Sequence, residues 1–216
     1  MSLFILDKQL FFPPVEDAEE DGMFAIGGDL STERLLLAYR NGIFPWYNED
    51  QPITWYSPDP RFILFPSELK ISKSMRTAIN TGIFYFTIDK AFSEVIKNCK
   101  TANRKDQSGT WISNDIIEAY SALHAKGYAH SAEAWSKNEL VGGLYGVLID
   151  KVFFGESMFS KKNNASKFAF IKYVHYLQKQ GVQLIDCQVY TPHLQSLGAK
   201  MIDRRIFLGS LKKLIS

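Results

Sequence analysis

The sequence predicts an α+β protein in two parts, a small N-terminal α+β domain over residues 1–60 and a larger domain over residues 61–216. Three observations carry this reading. The chain has 216 residues with 46% hydrophobic content, enough for one good-sized core or for a main domain with a small companion. Its first sixty residues are turn-rich and aromatic, with Pro13, Pro14, Pro45, Pro52, Pro58 and Pro60. From Arg61 onward, helical and strand patterns mix.

A single helix stands out in the N-terminal region. Ser31 is placed to cap it, Leu35, Leu36 and Tyr39 give it an apolar side, and Gly42 is placed to end it. Trp55-Tyr-Ser-Pro-Asp-Pro60 is barred from a helix because residues before proline are pushed extended, and it reads as the junction between the two domains. Beyond it, Asp89 is read as the cap of a helix that buries Phe92, Val95 and Ile96. Ser113 or Asn114 opens another, with Ile116, Tyr120 and Leu123 at helical spacing and Gly127 closing it. Ala129 to Trp135, Glu139 to Ile149 and Val152 to Ser157 then read as a strand meander with a tight link at Asp150-Lys151. A helix follows from about Asn164 to Gln180, with Phe170, Tyr173, Val174 and Leu177 on its apolar side and Gly181 at its end. Val182 to Val189 is read as the returning strand. A meander followed by helix and strand resembles the core of the GCN5-like N-acetyltransferase fold, an analogy of fold that carries no chemistry.

Composition narrows the function classes. At 22% charged residues the chain is close to the globular average, so disorder is not expected. A net charge of +2 is only mildly basic, so nucleic-acid binding would rest on a local patch. No stretch of about 18 apolar residues argues for a membrane span. Asp7 and Lys8 interrupt the apolar start and no small-residue cleavage site follows, so no signal peptide is expected. Cys99 and Cys187 lie far apart without a CxxC, which fits a reducing cytoplasm and no disulfide framework. His124, His130, His175 and His193 show neither HExxH nor HxH spacing, so no metal site is expected.

Leu184-Ile-Asp-Cys-Gln-Val189 is the most informative segment for chemistry. In a regular strand Asp186 and Gln188 face one side. An acid beside an amide is costly to bury unless paired. The two are either a polar pair satisfied by neighbouring backbone, or a device in which a carboxylate holds the Gln188 amide so that its oxygen faces an incoming amine. Glu156, near the end of an apolar strand, calls either for a salt bridge to Lys161 or Lys162 or for a cationic ligand. Phe153, Met158, Leu144, Tyr173 and Ile185 are either plain core or the lining of an apolar pocket. Trp46 and Trp111 each follow a turn-like segment, where they either stack on bases or plug a domain interface. Lys70, Lys73 and Arg76 repeat at a spacing that puts them on one helix face, and Lys161, Lys162 and Lys167 form a second group. Each group is either a solvated face or a phosphate-binding patch.

Together these segments resemble the leucyl/phenylalanyl-tRNA–protein transferase family. The matching stretches are Phe12-Pro13, Gly27-Gly-Asp-Leu-Ser31, Arg40-Asn-Gly-Ile-Phe-Pro-Trp46, Trp55-Tyr-Ser-Pro-Asp-Pro-Arg61 and Gly109-Thr-Trp111. They continue with His130-Ser131, Glu139-Leu-Val-Gly-Gly143, Gly155-Glu-Ser-Met-Phe-Ser160, Asn164-Ala-Ser-Lys167, Ile185-Asp-Cys-Gln188 and Ser196-Leu-Gly-Ala199. The resemblance implies an aminoacyltransferase that moves Leu or Phe, and more weakly Met, from aminoacyl-tRNA to proteins beginning with Arg or Lys, marking them for N-end-rule degradation. It implies Asp186 and Gln188 as catalytic residues, Glu156 in the acceptor-binding region, and Trp46 and Trp111 against the terminal adenosine. It implies an aminoacyl pocket walled by Leu144, Phe153, Met158, Phe170, Tyr173 and Ile185, and tRNA contacts among Lys70, Lys73, Arg76, Lys161 and Lys162. No cofactor or metal is implied, and a cytoplasmic monomer is the expectation.

Two rival readings belong to other classes. An acyl-CoA-dependent N-acetyltransferase needs a glycine-bearing turn to wrap the pyrophosphate, whereas this chain offers Ser160-Lys-Lys-Asn-Asn-Ala-Ser-Lys167. The other is a non-catalytic RNA-binding protein on the same fold.

Overall fold

The computed structural model describes residues 3–18, 21–102 and 111–216. The first elements are β1 (Phe4–Leu6), β2 (Met23–Gly27), α1 (Thr32–Arg40), β3 (Phe44–Pro45) and β4 (Thr54–Tyr56). Their strands form a sheet in the order β1-β2-β4-β3, with β1 parallel to β2. Ser31 caps α1 by accepting from the Arg34 N–H at 3.3 Å, and Gly42, at φ 71°, turns the chain out of the helix.

The remaining elements are β5 (Arg61–Leu64), α2 (Lys73–Asn80), β6 (Tyr85–Ile88), α3 (Phe92–Thr101), α4 (Asn114–Ala125), β7 (Ala129–Ser136), β8 (Glu139–Ile149) and β9 (Val152–Ser160). They end with α5 (Ala165–Lys179), β10 (Leu184–Gln188), α6 (Pro192–Gln195), β11 (Lys200–Ile202) and α7 (Arg204–Leu214). A seven-stranded sheet runs β11-β5-β10-β9-β8-β7-β6, with β9 and β10 parallel across the α5 crossover and the other neighbours antiparallel. The protein is thus mixed α and β, with the meander β7-β8-β9 followed by helix and strand. Residue 60 falls between β4, the last strand of the small sheet, and β5, the first of the large one.

Packing joins what the two sheets divide. One buried cluster runs from Phe24 and Trp55 through Leu35 and Tyr39 to Val95, Tyr120, Tyr145 and Phe154. A second lies on the α5 side, built from Val141, Leu144, Phe153, Phe168, Phe170, Tyr173 and Leu177. The approach of α5 is close enough to require glycine: a Cβ at Gly142 would stand 2.7 Å from the Ala165 Cβ.

Two local expectations are corrected. Asp89 does not cap α3, whose N-cap is Ala91 without a side-chain hydrogen bond. Its carboxylate instead accepts from the Ser131 N–H at 2.8 Å and pairs with His130 Nδ1 at 2.7 Å, so partners on β7 win over the local cap. Lys70 does not share a helix face with Lys73 and Arg76, because Ser72 caps α2 and the Lys70 N–H is tied to the Leu197 carbonyl at 2.8 Å. Among the described residues no helix is long and apolar enough to cross a membrane, and no group of three or more His, Cys, Asp or Glu is placed to hold a metal ion.

Candidate active site

Two irregularities in neighbouring strands create the site. The parallel pairing of β9 with β10 ends at Phe154 opposite Asp186. Past that point β9 continues along β8 while β10 continues along β5, so the two strands separate. In β9 the register with β8 passes from Gly146–Gly155 to Tyr145–Ser157, leaving Glu156 as the extra residue of a bulge. In β10 the register with β5 passes from Asp186–Ile63 to Gln188–Phe62, leaving Cys187 as the extra residue. Bulges of this kind re-aim side chains. Gly146 permits the first one, since a Cβ there would stand 2.1 Å from the Phe154 carbonyl oxygen.

Between the separated strands lies a cavity of about 770 Å³. Glu156, Asp186 and Gln188 stand on its wall together with Leu144, Met158, Phe170 and Ile185. Trp46, Trp111 and Lys161 line it as well. Of the Gly109-Thr-Trp111 segment, only Trp111 lies within the described residues. Phe153 and Tyr173 are not on this wall. They are buried one layer behind it, ring centroids 5.1 Å apart, where they pack the sheet against α5.

The bulge in β10 also changes how Asp186 and Gln188 relate. Gln188 adopts φ 63°, and its backbone N–H donates to Asp186 Oδ1 at 2.9 Å. The side chains then diverge. The Asp186 carboxylate takes a two-pronged bond from Arg61, with Nε to Oδ1 at 2.8 Å and Nη2 to Oδ2 at 2.6 Å. Both side chains of this ion pair are fully buried. The Arg61 guanidinium is flanked by the rings of Phe44 at 4.8 Å and Phe207 at 4.7 Å. A planar cation between aromatic faces, forked onto a carboxylate, is a geometry that arginine provides and lysine does not.

A carboxylate does hold the Gln188 amide, but it is Glu156 rather than Asp186. Gln188 Nε2 donates to Glu156 Oε1 at 2.7 Å. The same oxygen accepts from the Tyr39 hydroxyl at 2.7 Å, and Oε2 accepts from the Tyr120 hydroxyl at 3.0 Å. The two hydroxyls also touch each other. Burial pushes the Glu156 carboxyl up to about 7, against the bonds from Tyr39, Tyr120 and Gln188, which favour the charged form; nearby Asp186 adds to the rise. Neither Lys161 nor Lys162 forms the salt bridge to Glu156 that the sequence left open. Lys161 reaches over the Phe159 ring at 5.8 Å, and Lys162 lies 3.3 Å from the Ser136 hydroxyl and 3.9 Å from Glu139.

Sequence reasoning missed Arg61, Tyr39 and Tyr120. Both tyrosines read as apolar positions on helix faces. The available signal was their hydroxyl, which needs a partner wherever the ring is buried. Arg61 closes the Trp55-to-Arg61 segment, and its signal is a charged residue opening the strand Arg61-Phe-Ile-Leu64. The basic residues behave differently: Lys70, Lys73, Arg76, Lys161 and Lys162 are all exposed. Lys167 donates to the Ser196 hydroxyl at 3.1 Å, and the Lys70 N–H donates to the neighbouring Leu197 carbonyl at 2.8 Å.

A family model described as leucyl/phenylalanyl-tRNA protein transferase matches residues 63–212, and one described as the N-terminal domain of that protein matches residues 28–59. The chain is 57% identical to a leucyl/phenylalanyl-tRNA–protein transferase of Flavobacterium johnsoniae, over 97% of this chain and 99% of the relative. It is 55% identical to one of Syntrophobacter fumaroxidans, over 100% of this chain and 92% of the relative. Among solved structures, a GCN5-related N-acetyltransferase from Kribbella flavida is similar at a TM-score of 0.39 and 10% identity, over 77% of this chain and 59% of that one. The chain belongs to the leucyl/phenylalanyl-tRNA–protein transferase family.

Proposed function

We propose that this chain transfers Leu or Phe, and more weakly Met, from aminoacyl-tRNA to the N-terminal Arg or Lys of acceptor proteins in the cytoplasm, marking them for N-end-rule degradation. The observation that carries this reading is the cavity in which an apolar wall meets Gln188, Glu156 and Asp186. Leu144, Met158, Phe170 and Ile185 suit a large aliphatic or aromatic apolar side chain, and Trp46 and Trp111 offer ring faces for the terminal adenosine.

The reaction is aminolysis of an ester that is already activated, so positioning supplies much of the rate. Because the Gln188 amide nitrogen is committed to Glu156, its carbonyl oxygen is the end that can accept from an amine N–H. Asp186 fixes the backbone of Gln188 and is itself fixed by Arg61, so it acts as a positioning residue. Glu156 stands where the acceptor's amino end approaches Gln188. The exposed Lys70, Lys73, Arg76, Lys161 and Lys162 are the candidates for phosphate contacts, with an affinity that falls as salt rises.

The acyl-CoA alternative finds little support at this turn. Wrapping a pyrophosphate needs free amides at the start of α5. There the Ala165 N–H is bonded to the Lys162 carbonyl at 3.1 Å, Ser166 N–H to the Ser160 hydroxyl at 3.2 Å, and Phe168 N–H to the Asn164 carbonyl at 2.8 Å.

The test is transfer of labelled Leu and Phe, each from its charged tRNA, to a peptide beginning with Arg, with a peptide beginning with Ala as control. Label on the Arg peptide alone is expected. Label on both peptides would remove the acceptor assignment, and label on neither would remove the donor assignment.

A further inference from the structure

Glu156, Tyr39 and Tyr120 form a closed triangle of oxygen contacts. Tyr39 meets Glu156 Oε1, Tyr120 meets Glu156 Oε2, and the two hydroxyls meet each other. A short contact between two oxygens is attractive only when a proton lies between them; otherwise lone pairs face one another. The triangle has three such contacts and only two phenolic protons. Burial pushes both phenols well above their ordinary range, so each keeps its proton at neutral pH. The bond from Gln188 Nε2 brings a proton of its own and fills none of the three. The third contact is filled only when Glu156 carries a proton. The triangle is thus built to hold one proton more than its two phenols bring.

We infer that Glu156, held by Tyr39 and Tyr120, is the proton store of the transfer reaction, taking the proton that the acceptor's α-amine loses and returning it to the departing ribose oxygen. This rests on the reaction proposed above. The amine nitrogen forms its bond to the ester carbonyl carbon while an N–H proton passes to the Glu156 carboxylate. Collapse of the tetrahedral intermediate breaks the carbon–oxygen bond to the ribose, and the stored proton goes to that oxygen. An amide and a free hydroxyl result, Glu156 is again a carboxylate, and no further reactant is consumed. Gln188 orients the amine and stays an amide throughout. Tyr39 and Tyr120 are positioning residues that reach Glu156 from α1 and α4, so the N-terminal region contributes one side of the store.

Among the described residues, the groups around Glu156 are few. Tyr39 faces it from α1 and Tyr120 from α4; β8 brings Tyr145, whose ring lies 5.6 Å from that of Tyr120. From β10 come Asp186 and the Cys187 thiol, with Arg61 of β5 bound to Asp186. On its buried side α3 adds only the Cys99 thiol among apolar residues. Lys161 and His193 line the same cavity, but neither is among the groups that shift the Glu156 carboxyl. Its charged form depends on the two phenols and Gln188, and burial holds the carboxyl near 7.

The experiment is isotope-edited infrared spectroscopy of the protein carrying carboxyl-labelled glutamate, from pH 5.5 to 9, together with the pH profile of kcat/KM for transfer. A protonated glutamate band that disappears as pH rises through about 7 is expected. It should be absent in Glu156→Gln and displaced in Tyr120→Phe, which opens the triangle. The acid limb of kcat/KM should move with it by about one pH unit, about tenfold in rate at pH 6.5, while a purely structural tyrosine would lower the rate without moving the limb. A band already gone at pH 5.5, or one that survives in Glu156→Gln, overturns the proton store. A titrating band with a kcat/KM profile that ignores it overturns its use in catalysis. Loss of transfer at every pH with an intact titration would instead count against the proposed reaction.

Discussion

Two carboxylates are buried on the same cavity wall, and they are held in opposite ways. Asp186 receives a full positive charge from Arg61, forked and flanked by two aromatic rings. Glu156 receives three hydrogen bonds from neutral groups, two phenols and one amide. A buried anion matched by a buried cation gains stability mainly when both stay charged, and removing one partner strands the other. A buried anion held by neutral donors has a cheap alternative, which is to bind a proton. The difference teaches that a shared place on the cavity wall does not define a role here. The ion pair is a fixed support that aims Gln188, and the group able to change its protonation lies one strand away.

Breaking the support should have the largest effect. Arg61→Met keeps much of the side-chain volume between Phe44 and Phe207 but leaves Asp186 without its cation, at a cost of about 3–5 kcal/mol in urea denaturation at pH 7. A cost under about 1 kcal/mol would show that Asp186 finds another partner. The pair also governs how the role of Asp186 is to be tested: Asp186→Ala leaves Arg61 without any acceptor, whereas Asp186→Asn keeps one oxygen for it and is the variant whose transfer rate can be read.

Glu156→Gln sharpens the other side of the comparison. The folded-state value of about 7 lies above the ordinary 4.5, so the native protein binds more protons than the unfolded chain between these values. Stability therefore falls as pH rises through that window, by on the order of 3 kcal/mol in all. The variant has no carboxyl to titrate, so its stability should change less between pH 5 and pH 8 than that of the unaltered protein. Parallel curves for the two proteins in urea denaturation would place the Glu156 titration in the ordinary glutamate range.

These contrasts separate what the sequence makes legible from what it does not. Helix α1 with its Ser31 cap, helix α4 with its Ser113 cap and the meander β7-β8-β9 are written in local patterns, periodicity and turn residues, and the structure has them. Asp186, Gln188 and Glu156 stand out because a polar residue in an apolar strand is a local anomaly. Their pairing is not local. Regular alternation places Asp186 and Gln188 on one face, and a bulge at Cys187, invisible without the β5 register, redirects them. Arg61, Tyr39 and Tyr120 come from three other elements, and nothing near them in sequence marks the partner each will meet. Phe153 and Tyr173 illustrate the converse: apolar pattern places them near a pocket, but only the packing of α5 decides that they stand behind its wall.

Cys187 allows the comparison to be read with a small perturbation. It is the bulged residue between Asp186 and Gln188, and it lines the cavity. Burial and the adjacent Asp186 charge push its thiol well up, while Arg61 pulls it down. A cysteine reacts through its thiolate, so alkylation by iodoacetamide at pH 8 should run at least about tenfold slower than for a simple peptide thiol. In Arg61→Met, provided urea denaturation shows the variant folded under the assay conditions, the rate should fall further, because the one positive contribution at the thiol is gone. Glu156→Gln should leave it nearly unchanged, since no comparable contribution from Glu156 reaches this group. The other cysteine, Cys99, is buried in α3, which leaves Cys187 as the reporting thiol. Equal rates in all three proteins would mean that access, rather than the field of the Arg61–Asp186 pair, controls the thiol. A faster rate in Arg61→Met would mean that the support had loosened and opened the wall.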